Sequence, residues 1–226
     1  MNKIKLWFGE IQKMGLVRFT KEKYFNWVYK NKFKQTGVSY PDLSKNVTGT
    51  IAASANKDSK MNQATSYYSL HKAFNNLPLH RNEISMIDIG CGAGRVLNFG
   101  MLLQFKAVAG VELDGPSIEK ANKNCIKMQE AGFKTPFNLY QADASKFQIP
   151  DGVNTFYFFN PFGEKTMEDV LANIIRYAEA NNKTVFIVYT EATVRQVFDR
   201  HPKLTLVYES LFRINNLADV VIYKTA

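Results

Sequence analysis

The chain of 226 residues holds only two cysteines, three histidines, two tryptophans and seven prolines. Two cysteines cannot build the disulfide framework of a small secreted domain, and Cys91 and Cys125 show no metal-ligand spacing. Cys91 falls in a glycine-rich stretch and Cys125 in a helical one, so both are expected as reduced thiols in a cytoplasmic protein. His71, His80 and His201 are scattered, and no metal centre is expected from them. No run of 18 apolar residues occurs, so no transmembrane helix is expected. The N-terminal stretch has no long apolar segment before a small-residue cleavage site, so no signal peptide is expected either. A P-loop, a Ser-His-Asp pattern, internal repeats and low-complexity tracts are all missing.

What is there suits a sizeable core. Hydrophobic residues make up 46% of the chain and aromatics 13%, enough for one large domain, or one domain with an N-terminal extension. The net charge of +9 is uneven, because residues 1–45 carry ten Lys/Arg against three Asp/Glu. A basic segment beside a nearly balanced remainder either meets nucleic acid, an acidic protein or a membrane surface, or is a solvated face.

The most informative stretch runs from Ile84 to Phe105. Ile84, Met86, Ile87 and Ile89 form a short apolar run that fits a buried parallel strand. Gly90, Gly92 and Gly94 follow, and Val96–Phe105 has the broad apolar face of a helix. Strand, glycine-rich turn, helix is the pattern of a nucleotide-binding βα unit. The spacing is G-x-G-x-G rather than the G-x-G-x-x-G of a dinucleotide fingerprint. Asp88 precedes it. A carboxylate there suits a ligand without phosphates whose ammonium group it can meet. The run Asp88-x-Gly90-Cys91-Gly92-x-Gly94-Arg95 resembles motif I of the class I S-adenosylmethionine-dependent methyltransferases.

The remaining strand ends fit that resemblance. Ala107–Glu112 reads as a second strand, and the Glu112 carboxylate can accept from both hydroxyls of a ribose. Gly110-Val111-Glu112-Leu113 is similar to the acidic motif II of the superfamily. A helix follows from about Pro116 to Ala131. Phe137–Asp143 reads as a third strand, with Asp143 at the same sheet edge as Asp88 and Glu112, where parallel α/β sheets bind ligands. Asp143-Ala144 resembles the pair beside the adenine, although Asp143 also suits a cap for the next turn. Val153–Phe159 is a fourth strand, ending at Asn160-Pro161-Phe162. That tripeptide resembles the Asn-Pro-Pro-Tyr/Phe motif of methyltransferases acting on nitrogen, with one proline rather than two. The resemblance implies that the Asn160 side-chain oxygen accepts from the target amine and that Phe162 stacks on it. Asn-Pro-Phe also occurs in a group of small bacterial methyltransferases. The alternative is that Asn160-Pro161 is only a turn after a strand.

Upstream, residues 3–33 read as two helices broken at Gly15, with Thr20 as a cap for the second and Tyr24, Phe25, Trp27, Val28 and Phe33 as its apolar residues. Packing onto the domain is expected, and membrane contact is not. Residues 35–60 read as a loop. Asn62–Leu70 opens a helix running to about Leu77, ahead of Pro78, and resembles a segment that precedes motif I in the small bacterial group and, more loosely, in certain protein lysine methyltransferases. Thr65, Tyr67 and Leu70 match it; Asn62 and Ala64 depart. The resemblance implies that Thr65 and Tyr67 close over the methionine end of the cofactor; an N-cap and a core tyrosine fit as well.

Helices over 167–180 and 191–200, a strand over 184–189, and strands over 204–212 and 218–223 complete the chain. The expected fold is an α/β, Rossmann-like class I methyltransferase sheet, mostly parallel, with seven strands of which one is antiparallel, plus an N-terminal helical extension. The expected division is a basic extension and linker over 1–60 and a methyltransferase domain over 61–226. The implied cofactor is S-adenosyl-L-methionine, bound by Thr65, Tyr67, Asp88, Gly90, Cys91, Gly92, Gly94, Arg95, Glu112, Leu113, Asp143, Ala144 and Asn160. Asn160, Pro161 and Phe162 are the expected catalytic set. The expected acceptor is a nitrogen of a protein side chain, with a nucleic-acid base or small amine as alternatives. A non-catalytic cofactor-binding module is a further alternative, and a nicotinamide-dependent oxidoreductase would need the glycine spacing that is missing.

Overall fold

In the computed structural model, the described residues are 3–40, 65–212 and 217–226; of residues 3–6 and 13 only the backbone is described. The expected loop over 35–60 therefore falls largely outside them, as do Asn62 and Ala64.

Seven strands form one sheet: β1 (Ser85–Ile89), β2 (Ala107–Glu112), β3 (Phe137–Gln141), β4 (Thr155–Phe159), β5 (Phe186–Thr190), β6 (Leu204–Leu211) and β7 (Ala218–Thr225). Their order is β3-β2-β1-β4-β5-β7-β6. β1 to β5 pair in parallel, and β7 runs antiparallel to both β5 and β6. This is the expected sheet with its single reversed strand. The chain leaves β1 in one direction along the sheet and returns for β4 on the other side. A cleft therefore opens beyond the strand C-termini, the usual ligand position in such sheets.

Seven helices accompany the sheet: α1 (Lys3–Met14), α2 (Leu16–Lys34), α3 (Tyr67–Asn75), α4 (Arg95–Leu102), α5 (Gly115–Glu130), α6 (Glu164–Ala180) and the single turn α7 (Gln196–Asp199). Alternation along the central strands splits the core in two. Ile87, Ile89, Phe156, Phe158, Ile187 and Tyr189 face α6 and α7. Met86, Tyr157, Val188, Val220 and Ile222 face the other layer, with Leu70 and Phe74 of α3 and Leu97 and Phe99 of α4. Each fully buried Leu, Ile or Phe contributes about 1.5–3 kcal/mol.

The N-terminal helices differ from their expected details. Helix α2 begins at Leu16, directly after Gly15 (φ 80°), so Thr20 lies inside it and its hydroxyl returns to the Val17 carbonyl at 2.9 Å. Phe19, Tyr29 and Phe33 are the buried residues of α2, and Tyr29 and Phe33 join the core around Tyr67 and Phe99. Tyr24 and Trp27 point outward, at 59% and 63% exposure. The helical period explains this: Phe25, Tyr29 and Phe33 recur every four residues on the face turned to the core, and Trp27 lies on the opposite side.

Other boundaries moved for local reasons. The expected helix over 191–200 shrinks to Gln196–Asp199: Glu191 takes left-handed backbone (φ 49°), which a right-handed helix cannot contain, and its amide and that of Ala192 bind the Asp219 and Ala218 carbonyls of β7 at 2.9 and 3.0 Å. Helix α4 stops at Leu102, and Gln104 (φ 59°) turns the chain so that the Phe105 amide reaches the Gly100 carbonyl. Strand β3 ends at Gln141, two residues before Asp143.

Candidate active site

Four loops meet at the C-terminal edge of the parallel strands. Gly90, Gly92 and Gly94 all take left-handed backbone, at φ 82°, 51° and 79°. The Gly90 and Cys91 amides both bond the Val111 carbonyl, at 2.9 and 3.0 Å, which folds the loop back over β2. From the far side, Asn124 of α5 donates to the Ala93 carbonyl at 3.0 Å. A side chain at Gly90 would meet the Pro161 Cβ at 3.1 Å, and one at Gly94 would meet Ala121 at the same distance. The loop is therefore fixed in place, with its backbone lining the cleft.

Glu112 holds this loop from the end of β2. One of its oxygens accepts from the Gly92 amide at 2.9 Å; the other accepts from the Leu113 and Asp114 amides at 2.8 and 3.0 Å. Leu113 itself is 41% exposed at the rim. Asp114 continues the architecture by capping α5 through the Ser117 amide.

Asp88 lies on β1 between Gly110 of β2 and Tyr157 of β4. It is 3% exposed and makes no side-chain hydrogen bond among the described residues. Burial, reinforced by the nearby Glu112 carboxylate, holds its carboxyl well above the usual carboxylate range. Such a group is costly unless something positive meets it.

Arg95 opens α4 immediately after the glycines. One of its terminal nitrogens donates to the Thr65 carbonyl at 3.3 Å, and its guanidinium lies over the Tyr40 and Tyr67 rings at 4.8 and 5.2 Å. Its Nε is buried and has no partner among the described residues. Among the described residues, the Asp88 carboxyl and the Arg95 Nε are thus left with unused hydrogen-bonding capacity.

Thr65 is buried, with its hydroxyl 3.4 Å from the Tyr157 hydroxyl, which in turn lies 2.8 Å from the Thr190 hydroxyl. Tyr67 is buried among the rings of Tyr29, Phe33 and Phe99, and Ser66 caps α3 through the Ser69 amide. Tyr67 is thus a core ring carrying Arg95 on its face. Cys91 turns inward and packs on Gly110, where a Cβ would approach its sulfur to 2.6 Å. Burial pushes its thiol far up and the Cys125 thiol up to about 12, so neither is a nucleophile at neutral pH.

Asp143 lies beyond the strand it was expected to end. Its carboxylate accepts from the Ser145 amide at 3.0 Å and hydroxyl at 2.7 Å, so it caps a turn, while Ala144 is buried in the core. Asn160 follows β4 in left-handed backbone (φ 43°). Its amide oxygen accepts from the Tyr189 hydroxyl at 3.2 Å and from the Thr193 hydroxyl. Two donors use both lone pairs of that oxygen. Pro161 touches Gly90, and Phe162 packs partly against the α6-side core.

The sequence reading passed over Tyr157, Thr190, Tyr189, Thr193 and Glu191. Glu191 carried the signal that singled out Glu112, an acid directly after an apolar strand, but was assigned to a helix. The tyrosines and threonines sit inside strands or turns, where no spacing marks them. Among the described residues no cluster of His, Cys, Asp or Glu is placed to hold a metal ion, and no helix is long and apolar enough to cross a membrane. A groove of about 680 Å³ lined by Leu79, Arg81, Asn82 and Leu103 opens at the opposite end of β1 and contains none of the strand-end acids.

No protein-family model matches the chain. An uncharacterized protein of Methanocaldococcus jannaschii is 25% identical over 175 residues, covering 70% of this chain and 72% of that protein. A S-adenosylmethionine-dependent methyltransferase of Aquifex aeolicus superposes with a TM-score of 0.52 at 14% identity, over 70% of this chain and 89% of its own. A protein of the NADB-Rossmann superfamily from Streptococcus agalactiae superposes with a TM-score of 0.51 at 18% identity, over 74% and 70%. The chain has the Rossmann-like fold of the class I methyltransferases.

Proposed function

We propose that this protein is an S-adenosylmethionine-dependent methyltransferase that transfers methyl to nitrogen, with a protein side chain as acceptor. One observation carries the cofactor assignment: at the glycine loop, the buried Asp88 carboxylate and the buried Arg95 Nε are both without hydrogen-bond partners among the described residues. An amino-acid end supplies what each needs, an ammonium for Asp88 and a carboxylate for Arg95. The fit extends along β2, where Glu112 and Leu113 would meet the ribose and the adenine rim. Asp143 and Ala144 would stand at the far side of the base. Gly90, Cys91, Gly92 and Gly94 would supply close backbone, and Thr65 and Tyr67 would support Arg95.

When bound, this cofactor supplies an electrophilic methyl group on a positively charged sulfur. The chain's part is to place an amine lone pair in line with that methyl and to exclude water. Asn160, Pro161 and Phe162 would frame the nitrogen, with Tyr189 and Thr193 holding the Asn160 carboxamide. The protein acceptor is favoured by the likeness of the segment before motif I to that of protein lysine methyltransferases. A nucleic-acid base is the second reading: α2 exposes Tyr24 and Trp27 near the exposed Lys30 and Lys34, a pairing of rings and cations that suits stacked bases and phosphates.

The test is methyl transfer from tritiated S-adenosylmethionine into cell extract, followed by protease or nuclease, with Asn160→Ala alongside. Protease-sensitive label that the variant lacks supports the proposal. Nuclease-sensitive label moves the acceptor to nucleic acid, and label confined to small molecules moves it to a metabolite. Absence of S-adenosylhomocysteine binding by calorimetry would sink the cofactor assignment.

A further inference from the structure

Strands β4 and β5 finish level with each other, with Phe159 paired to Thr190. The next residue on each, Asn160 and Glu191, takes left-handed backbone, at φ 43° and 49°. Neither is glycine, and for a glutamate that conformation is costly unless the surroundings impose it. Here β7 imposes it. The Glu191 and Ala192 amides are fixed to the Asp219 and Ala218 carbonyls, and Ala192 is buried. Glu191 is thus held in a strained turn one strand away from Asn160, about 5 Å across at the backbone.

The two side chains differ in what they have left to offer. The Asn160 oxygen is occupied by the Tyr189 and Thr193 hydroxyls. The partly buried Glu191 carboxylate makes no hydrogen bond or ion pair among the described residues. The charged and titratable groups around it are Asp219 of β7, Arg18 and Glu22 of α2, and Tyr157 of β4. Arg18 is engaged by Asp219 at 2.6 Å, Glu22 at 2.9 Å and Ser69 at 3.2 Å. Lys72 also binds Asp219, at 2.5 Å, so Arg18 and Lys72 balance Asp219 and Glu22, and the Glu191 carboxylate is the charge of this cluster left without a counter-ion among the described residues. Burial, with Asp219 adding to it, raises the proton affinity of its carboxyl.

We infer that Glu191 is the acceptor-binding residue, taking the ammonium form of the target amine at the strand edge beside Asn160. The inference rests on the methyltransferase reading above and narrows its substrate to a basic aliphatic amine rather than the weakly basic amine of a nucleobase. An ammonium has no lone pair to donate. Proton transfer to Glu191 breaks one N–H bond, forms a carboxyl O–H bond and leaves the electron pair on nitrogen, with charge conserved. The neutral amine stays at the strand edge beside Asn160, its lone pair available for the methyl group.

Sinefungin tests this without knowledge of the acceptor, because it carries a primary amine where the cofactor carries the sulfur-bound methyl. Titration calorimetry on the full chain would compare sinefungin with S-adenosylhomocysteine for the native protein and for Glu191→Gln. The expected result is native preference for sinefungin of about fivefold or more, lost in Glu191→Gln with homocysteine-analogue affinity unchanged. Glu191→Asn is the second variant: it removes the charge while favouring the left-handed backbone, so it folds and loses the preference too. A preference that persists in both variants, or that the native protein lacks, overturns the role of Glu191 alone. Absence of S-adenosylhomocysteine binding overturns the cofactor reading and this inference with it.

Discussion

Gly90 and Pro161 lie against each other: a Cβ added to Gly90 would sit 3.1 Å from the Pro161 Cβ. The two residues belong to separate βα turns, after the adjacent strands β1 and β4. Their contact presses the glycine loop against the Asn-Pro-Phe turn, where the cofactor and acceptor sites of the proposed reaction adjoin. Gly90→Ala adds a methyl there in left-handed backbone, so both strain and crowding oppose it. The expected loss is about 1–3 kcal/mol, or about 2–12 °C in Tm for a chain of this size. Thermal denaturation checks it, and an unchanged Tm would show that the two turns do not press on each other.

Asp88→Asn separates stability from binding. The native carboxyl is buried and has no hydrogen-bond partner among the described residues, so a neutral isostere removes a desolvation cost. The variant is expected to be as stable as the native protein or up to about 1 kcal/mol more so, while S-adenosylhomocysteine affinity falls tenfold or more. Urea denaturation and calorimetry on the same preparation measure both. Loss of stability with affinity intact would make Asp88 structural.

Glu112→Ala is expected to do the opposite to stability. Three backbone amides, those of Gly92, Leu113 and Asp114, lose their acceptor. Leaving such donors unmet costs about 1–3 kcal/mol where water cannot replace the carboxylate. Faster amide exchange in 90–95 and 112–115 would register the released loop. Protection equal to the native level would mean that other contacts hold it.

Asp219 predicts a pH dependence. Burial alone would raise its carboxyl, but Arg18 at 2.6 Å and Lys72 at 2.5 Å outweigh burial and hold it below the usual range. A lowered folded value stabilises the fold above the unfolded value of about 3.9 and is lost as pH falls through the lowered one. Asp219→Asn leaves two cations facing a neutral group, at a cost of about 3 kcal/mol near pH 7. Urea midpoints for the two proteins should converge as pH drops below about 4. A gap that stays constant down to pH 3 would remove the ion cluster as its cause.

Much of the fold was legible because short-range chemistry wrote it. Apolar strands of five or six residues, the G-x-G-x-G turn and Gly15 mark elements through local sterics and burial alone. The sheet, its parallel strands and its one reversed strand followed from that order of elements. The helix expected over 191–200 failed because pairing with β7, a partner distant in sequence, holds Glu191 in left-handed backbone that a right-handed helix cannot contain. Tyr24 and Trp27 were expected inside and lie outside, because a helix chooses its buried face by what packs on it.

At the site, the sequence by itself determined which acids end strands and where the backbone can approach a ligand. Residue type and strand position carry that information. Only the tertiary structure decided which of those groups are spoken for. The Asn160 oxygen is occupied by Tyr189 and Thr193, some thirty residues away along the chain. Asp88, the Arg95 Nε and Glu191 remain without hydrogen-bond partners among the described residues. Hydrogen-bond capacity is limited, and whether a group has any to spare depends on neighbours that three-dimensional packing alone brings together.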